Sequence, residues 1–432
     1  MIDEQDDIPA VIIDPLLLSK ALIEQETVCP VAEAEGFAPA FHTLEALGFT
    51  CQMVDFSEAG HNPVQNLIAT IGSGSPHLCF AGHMDVVPPG PLADWTYSPF
   101  DPQESDGMLI GRGASDMKCA IACFISALSQ HLAEQPLLEG QGAITLILTG
   151  DEEGSAVNGT EKVLALLADN GYAFDGCIVG EPTSVTNVGD TIKIGRRGSV
   201  TFYVTLSGTQ GHVAYPHLAN NPMTALAECI TMLQTYTLDT GSEFFDPSGI
   251  QVVSVQSGGE ATNIIPGTAQ FTCNIRFNDL HNGLQIRDWF DTYCEHIAKT
   301  HHLNYRMTYR ISAESFGGQP TALSMLVSEA VEAITGQVPA LSTSGGTSDA
   351  RFITHYMPVV ELGLSNATAH KVNEQVAIAD IYTLTDIYRR CLATWFSSDL
   401  QRIQEDFATE EAARIKARQE AEEAGEDGDG QM

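Results

Sequence analysis

Short apolar runs that end abruptly on imidazoles and carboxylates are the feature that most limits what this chain can become. HLCFAG stops at His83 and Asp85, ITLILTG at Asp151, Glu152 and Glu153, and GCIVG at Glu181, while PVVELG precedes Ser365 to His370. Runs of this length, apolar throughout and flanked by glycine, read as strands buried on both faces of a parallel sheet. Ligands of open α/β sheets gather beyond the carboxyl ends of the strands, where these polar residues fall. Between the first two runs, Met117, Ala120, Ile121, Phe124, Ile125 and Leu128 recur at helical spacing, so residues 116–134 read as a crossover helix. The expected fold class is α/β, a mainly parallel sheet formed by residues 1–197 and 312–400 together.

The middle of the chain has another rhythm. Ser199 to Ser207 alternates as a strand, Pro222 to Thr237 reads as a helix, and Ile250 to Gln256 and Ala269 to Phe277 read as strands. Leu284 to His301 is a second helical stretch and Leu303 to Ile311 a last strand. That βαββαβ order is ferredoxin-like, so residues 198–311 are expected as an α+β domain inserted into the first. With 432 residues, 44% of them apolar, there is enough material for two cores. From Gln401 the sequence turns acidic and ends in GEDGDG, which reads as a solvated helical tail over residues 401–432.

Charge narrows the function. Twenty basic against 56 acidic side chains leave a formal net charge of -36, a surface that repels nucleic acid and anionic bilayers. No stretch approaches the roughly 20 apolar residues of a membrane span. The start, MIDEQDDIPAVIID, is acidic where a secretory signal is basic. The ten cysteines are scattered, with no CxxC, and most sit in apolar runs, which suits free thiols in a reducing cytoplasm.

His83, Asp85, Asp116, Glu152, Glu153, Glu181 and His370 carry the chemistry. Singly, each has an ordinary explanation: a helix-capping Asp, a solvated Glu, a satisfied core His. Together, carboxylates crowded in one crevice repel one another unless a cation neutralises them. Two imidazoles and three carboxylates suit two zinc-like ions, with one carboxylate bridging and one more left over as a general base. Two such ions lower the pKa of a water between them toward neutrality. Rival chemistries lack their motifs: there is no GxSxG, no Walker GxxxxGK[ST], and no GxGxxG between strand and helix. His296, His301 and His302 do not share a helix face and read as surface residues.

GHMDVVPPG, GRGASDMK, TGDEEGS, VGEPTS, GRRGS, GHVAYPHLANNP and AHKVNE, in this order, resemble the dimetal aminoacylase and carboxypeptidase family from about residue 15 to 395. The likeness is strongest to the branch that cleaves N-succinyl-LL-2,6-diaminopimelate to succinate and LL-diaminopimelate; N-acetylornithine deacetylases and other N-acyl-amino-acid hydrolases of the family are the nearest rivals. The resemblance implies two Zn2+ per subunit, with Co2+ possible in one site. His83, Asp116 and Glu181 would hold one ion and Asp116, Glu153 and His370 the other, with Asp85 orienting His83 and Glu152 as general base. It implies a homodimer through the inserted domain, with His212 reaching the partner's site to stabilise the oxyanion. Substrate-contacting positions would be Arg196, Ser199, Tyr215, Asn263, Arg276, Gly346 and Thr347, the arginines matching the substrate's carboxylates. Met84 and Ser115 depart from the family's usual Thr and Ala, and neither is a ligand.

Overall fold

The computed structural model describes residues 11–137, 139–259 and 261–426. The acidic first ten residues and the end of the GEDGDG tail lie outside them. The described chain divides into two compact units, one of Met1–Ile194, Pro320–Leu341 and Phe352–Met432, the other of Gly195–Gln319 and Ser342–Arg351. Among the described residues no helix is long and apolar enough to cross a membrane, and all ten cysteines are free thiols.

The first unit carries an eight-stranded sheet. Its centre is the expected parallel core: Gly142–Thr149, His77–His83, Gly176–Val179 and Val359–Glu361, side by side in that order. All four strands are buried along their whole length, which is why they read as unbroken apolar runs. Val64–Ser73 and Thr50–Phe56 extend one edge antiparallel, so the sheet is mixed. The crossover helix Lys118–Glu134 turns Ala120, Ile121, Phe124 and Leu128 inward. Phe124 stacks on Phe80 of the sheet at 4.0 Å, and Tyr388 of the helix Ile378–Trp395 meets both rings edge-on. Local signals set the helix ends. Asp14 caps Pro15–Ile23 by accepting from Leu17 N, and Gly336, in the left-handed region, closes Ala322–Thr335.

The last helix, Asp399–Glu426, departs from the expected solvated tail. Leu400 and Ile403 are buried in the first unit's core, and Arg402 pairs with Glu329 at 2.8 Å. Two apolar side chains one turn apart on an otherwise acidic helix are a weak periodic signal, which the charge around them hides.

The second unit is the expected βαββαβ. Its antiparallel sheet runs Gly249–Ser257, Thr268–Phe277, Gly198–Ser207, Asn304–Ala313. Along the strand Gly198–Ser207, Val200, Phe202, Val204 and Leu206 are buried and alternate with more open residues, the period-two pattern of a sheet covered on one face. The helices Met223–Thr235 and Gly283–Thr300 cover it, with Phe202 stacked on Phe290 at 3.9 Å. The pair of two-residue strands Gly195–Arg196 and Phe316–Gly317 also belongs to this unit and is too short to leave a period in the sequence.

Candidate metal centre

Three strand ends and two loops deliver the polar residues to one crevice of the first unit. His83 ends its strand, Glu152 and Glu153 follow Gly142–Thr149, and Glu181 follows Gly176–Val179. Asp116 sits in the loop before the crossover helix, and His370 in the loop after Val359–Glu361. His370 has φ +63°, a left-handed conformation costly for a non-glycine residue and found where a side chain must be aimed.

His83 Nδ1 lies 2.8 Å from the backbone carbonyl of Asp85. That partner only accepts, so a neutral ring carries its proton on Nδ1 and keeps the Nε2 lone pair for the crevice. His83 Nε2 lies 3.0 Å from Asp116 Oδ1 and 3.8 Å from Glu181 Oε1. His370 Nε2 lies 3.1 Å from Asp116 Oδ2 and 2.8 Å from Glu153 Oε1. Asp116 thus shows one oxygen to each imidazole. Glu152 offers an oxygen within 4.8 Å of donor atoms of both His83 and Glu181. The site is graded in depth, the His83 side chain being 2% exposed and that of His370 50%.

Asp85 contacts His83 through its backbone carbonyl rather than its carboxylate. Its carboxylate is 3.7 Å from His83 Nδ1 and instead accepts the backbone N–H groups of Glu152 (3.2 Å) and Glu153 (2.9 Å). It therefore holds the Glu152–Glu153 turn, and its carbonyl holds His83. Asp151, buried, binds the amides of Ser155 and Val157 and shapes the following loop.

The electrostatics call for cations. Burial alone would raise Asp116, but hydrogen bonds to His370 and His83 hold its carboxyl well below the usual carboxylate range. Hydrogen bonds to Asp116 and then Glu153 push His370 up to about 10. Burial opposes charge on His83, yet its bond to Asp116 and the nearby carboxylates lift it well above the ordinary imidazole value. The crevice's carboxylates thus favour the protonated, positive form of both imidazoles. Imidazole nitrogens and carboxylate oxygens are the donors zinc-like ions take, and divalent ions there would replace those protons. The residues fit the metals that the family resemblance implies.

The family model for peptidase family M20/M25/M40 matches residues 79–394. The chain belongs to that family. This M20 chain is a metallohydrolase. It is 47% identical over 390 residues to a succinyl-diaminopimelate desuccinylase of Parvibaculum lavamentivorans, covering 90% of this chain and 97% of that one. The fold matches a tripeptidase of Staphylococcus aureus with a TM-score of 0.72 at 18% identity, covering 89% of this chain and 100% of the other. It also matches a Bacillus subtilis dinuclear metal-binding peptidase of the M20 family with a TM-score of 0.64 at 16% identity, covering 88% and 97%.

In the second unit the M20 chain places the remaining expected residues in two groups. Arg196 is buried, with Nη1 3.3 Å from the carbonyl of Gly346, one residue before Thr347. Ser199 stands opposite Arg276 across the sheet. His212, Tyr215 and Asn263 lie instead on an exposed patch where the short strand Gly211–His212 pairs with Ile264–Ile265, far along the chain. Along the chain the ten-residue strand Gly198–Ser207, roughly 30 Å long, lies between Arg196 and His212. His212 Nδ1 accepts the N–H of Ala214 at 3.0 Å, which leaves the proton of a neutral ring on Nε2.

Sequence reasoning missed Arg112 and Glu374, although both lie inside quoted motifs, GRGASDMK and AHKVNE. They form a buried ion pair at 2.6 Å beside Asp116. Ser115, noted only as a departure from Ala, donates from Oγ to the carbonyl of Ser365 at 2.6 Å.

Proposed function

We propose that this chain hydrolyses the succinyl amide of N-succinyl-LL-2,6-diaminopimelate, releasing succinate and LL-diaminopimelate. The observation that carries the reading is Asp116 presenting one carboxylate oxygen to His83 and the other to His370, in a chain nearly half identical to a succinyl-diaminopimelate desuccinylase. His83, Asp116 and Glu181 would hold one zinc-class ion, and Asp116, Glu153 and His370 the other, cobalt being an alternative in one position. When bound, the ions polarise the amide carbonyl and make a water acidic. Glu152 would take a proton from the attacking water and deliver it to the leaving amine. Asp85 keeps Glu152 and Glu153 in register through their amides. Arg196 and Arg276, with Ser199, Tyr215, Asn263, Gly346 and Thr347, bind the substrate, the guanidinium groups taking its carboxylates.

His212 donates from Nε2–H to the oxyanion that develops on the carbonyl. The tautomer fixed by Ala214 supports this role. The ten-residue strand that lies between Arg196 and His212 along the chain supports a homodimer in which the exposed His212 of each chain serves the partner's site. The deciding experiment is a direct assay of zinc-loaded protein on N-succinyl-LL-2,6-diaminopimelate beside N-acetylornithine. Cleavage of the succinyl compound at a kcat/KM at least about 100-fold higher is expected, with turnover abolished by a chelator; preference for acetylornithine would overturn the reading.

A further inference from the structure

Glu374 is fully buried, and its carboxylate collects more donors than an ion pair needs. Oε2 accepts from Arg112 Nη1 (2.6 Å) and Gly113 N (3.1 Å), and Oε1 from Ser115 N (2.8 Å) and Asp116 N (3.0 Å). Three amides of the loop that ends in Asp116 therefore converge on one side chain. Gly113, at φ +88°, takes the backbone conformation that turns neighbouring N–H groups inward. Glu374 itself belongs to the loop that carries His370. That loop is closed by Thr368 Oγ1, which donates to the carbonyl of Gln375 and accepts its N–H, and is tied a second time to the Asp116 loop by Ser115 Oγ on Ser365. His83 and Glu181 come from strand ends and have no part in this staple.

We propose that Glu374 is a positioning residue that aligns Asp116 with His370, so that it governs the metal position beside His370 more than the one beside His83, where His83 and Glu181 stand on strand ends. This rests on the two-metal reading above. Outer partners that orient ligands are typically worth about 10–100-fold in metal affinity. The test is calorimetric titration of metal-free protein with Zn2+, with thermal unfolding of the metal-free protein beside it.

Wild type should take up two ions in two steps. Glu374→Gln should weaken one step by about 10–100-fold and the other, which shares Asp116, by a clearly smaller factor. Arg112→Lys, which keeps the carboxylate and its amide partners, should lower the unfolding temperature while leaving both steps within about threefold. Should Glu374→Gln fold poorly because Arg112 is left unpaired, the double variant Arg112→Met/Glu374→Gln removes the stranded cation and meets the same criterion. Equal weakening of both steps, or of neither, in a folded variant would overturn the alignment role. Fewer than two ions on wild type would overturn the two-metal reading, and the role with it, a failure visible before any variant is made.

Discussion

Glu152 and Glu153 are neighbours of one chemical type with different surroundings. Glu153 Oε1 is 2.8 Å from His370, whereas Glu152 shares space with His83 and Glu181. Both can face the crevice because the chain is turning, with Asp85 bound to both amides. Glu152→Gln should keep two metals and lose about 10²–10⁴ in turnover, since an amide cannot accept the proton. Glu153→Ala should lose one metal, and excess zinc should restore part of its rate. Metal analysis and kcat on both variants check this, and the opposite pattern would exchange the roles. The crevice residues were legible because strand ends expose the side chains that follow apolar runs. Glu374 was not, because its partners are mostly main-chain amides, which no sequence pattern records. Asp85 was legible as a contributor, but its division of labour, carbonyl to His83 and carboxylate to two amides, needs coordinates.

The helix Asp399–Glu426 changes character along its length. Its start contributes Leu400 and Ile403 to the core, while the residues from 408 to 413 are exposed. Ile403→Ala should therefore cost about 2–4 kcal/mol, the usual range for a buried aliphatic truncation, measured by denaturant unfolding of the metal-loaded protein. Deleting residues 410–432 should move stability by less than about 0.5 kcal/mol and leave turnover unchanged. A large loss on that deletion would mean that the acidic stretch also docks. Strands and helices with full periods were readable from their spacing, as Val200 to Leu206 and Ala120 to Leu128 illustrate. Elements held by pairing rather than by pattern, such as Gly195–Arg196 with Phe316–Gly317, carry no such signal.

For the whole chain, the order of apolar runs was enough to separate a parallel core from an antiparallel insert, because burial on both faces and burial on one leave different periods. How many copies make one working enzyme is a question of geometry. Mixing His212→Ala with Glu152→Ala protein under conditions of subunit exchange should restore about a quarter of wild-type activity, since half the dimers are mixed and each has one complete site. No recovery despite proven exchange would confine His212 to its own chain. The ten-residue strand Gly198–Ser207, which parts His212 from Arg196, then acquires a meaning beyond architecture. A site assembled from two chains obeys mass action: specific activity falls on dilution below the dissociation constant of the pair, and folded single chains are idle. In such a dimer the strand would make abundance itself a control on turnover, with no effector and no change of shape.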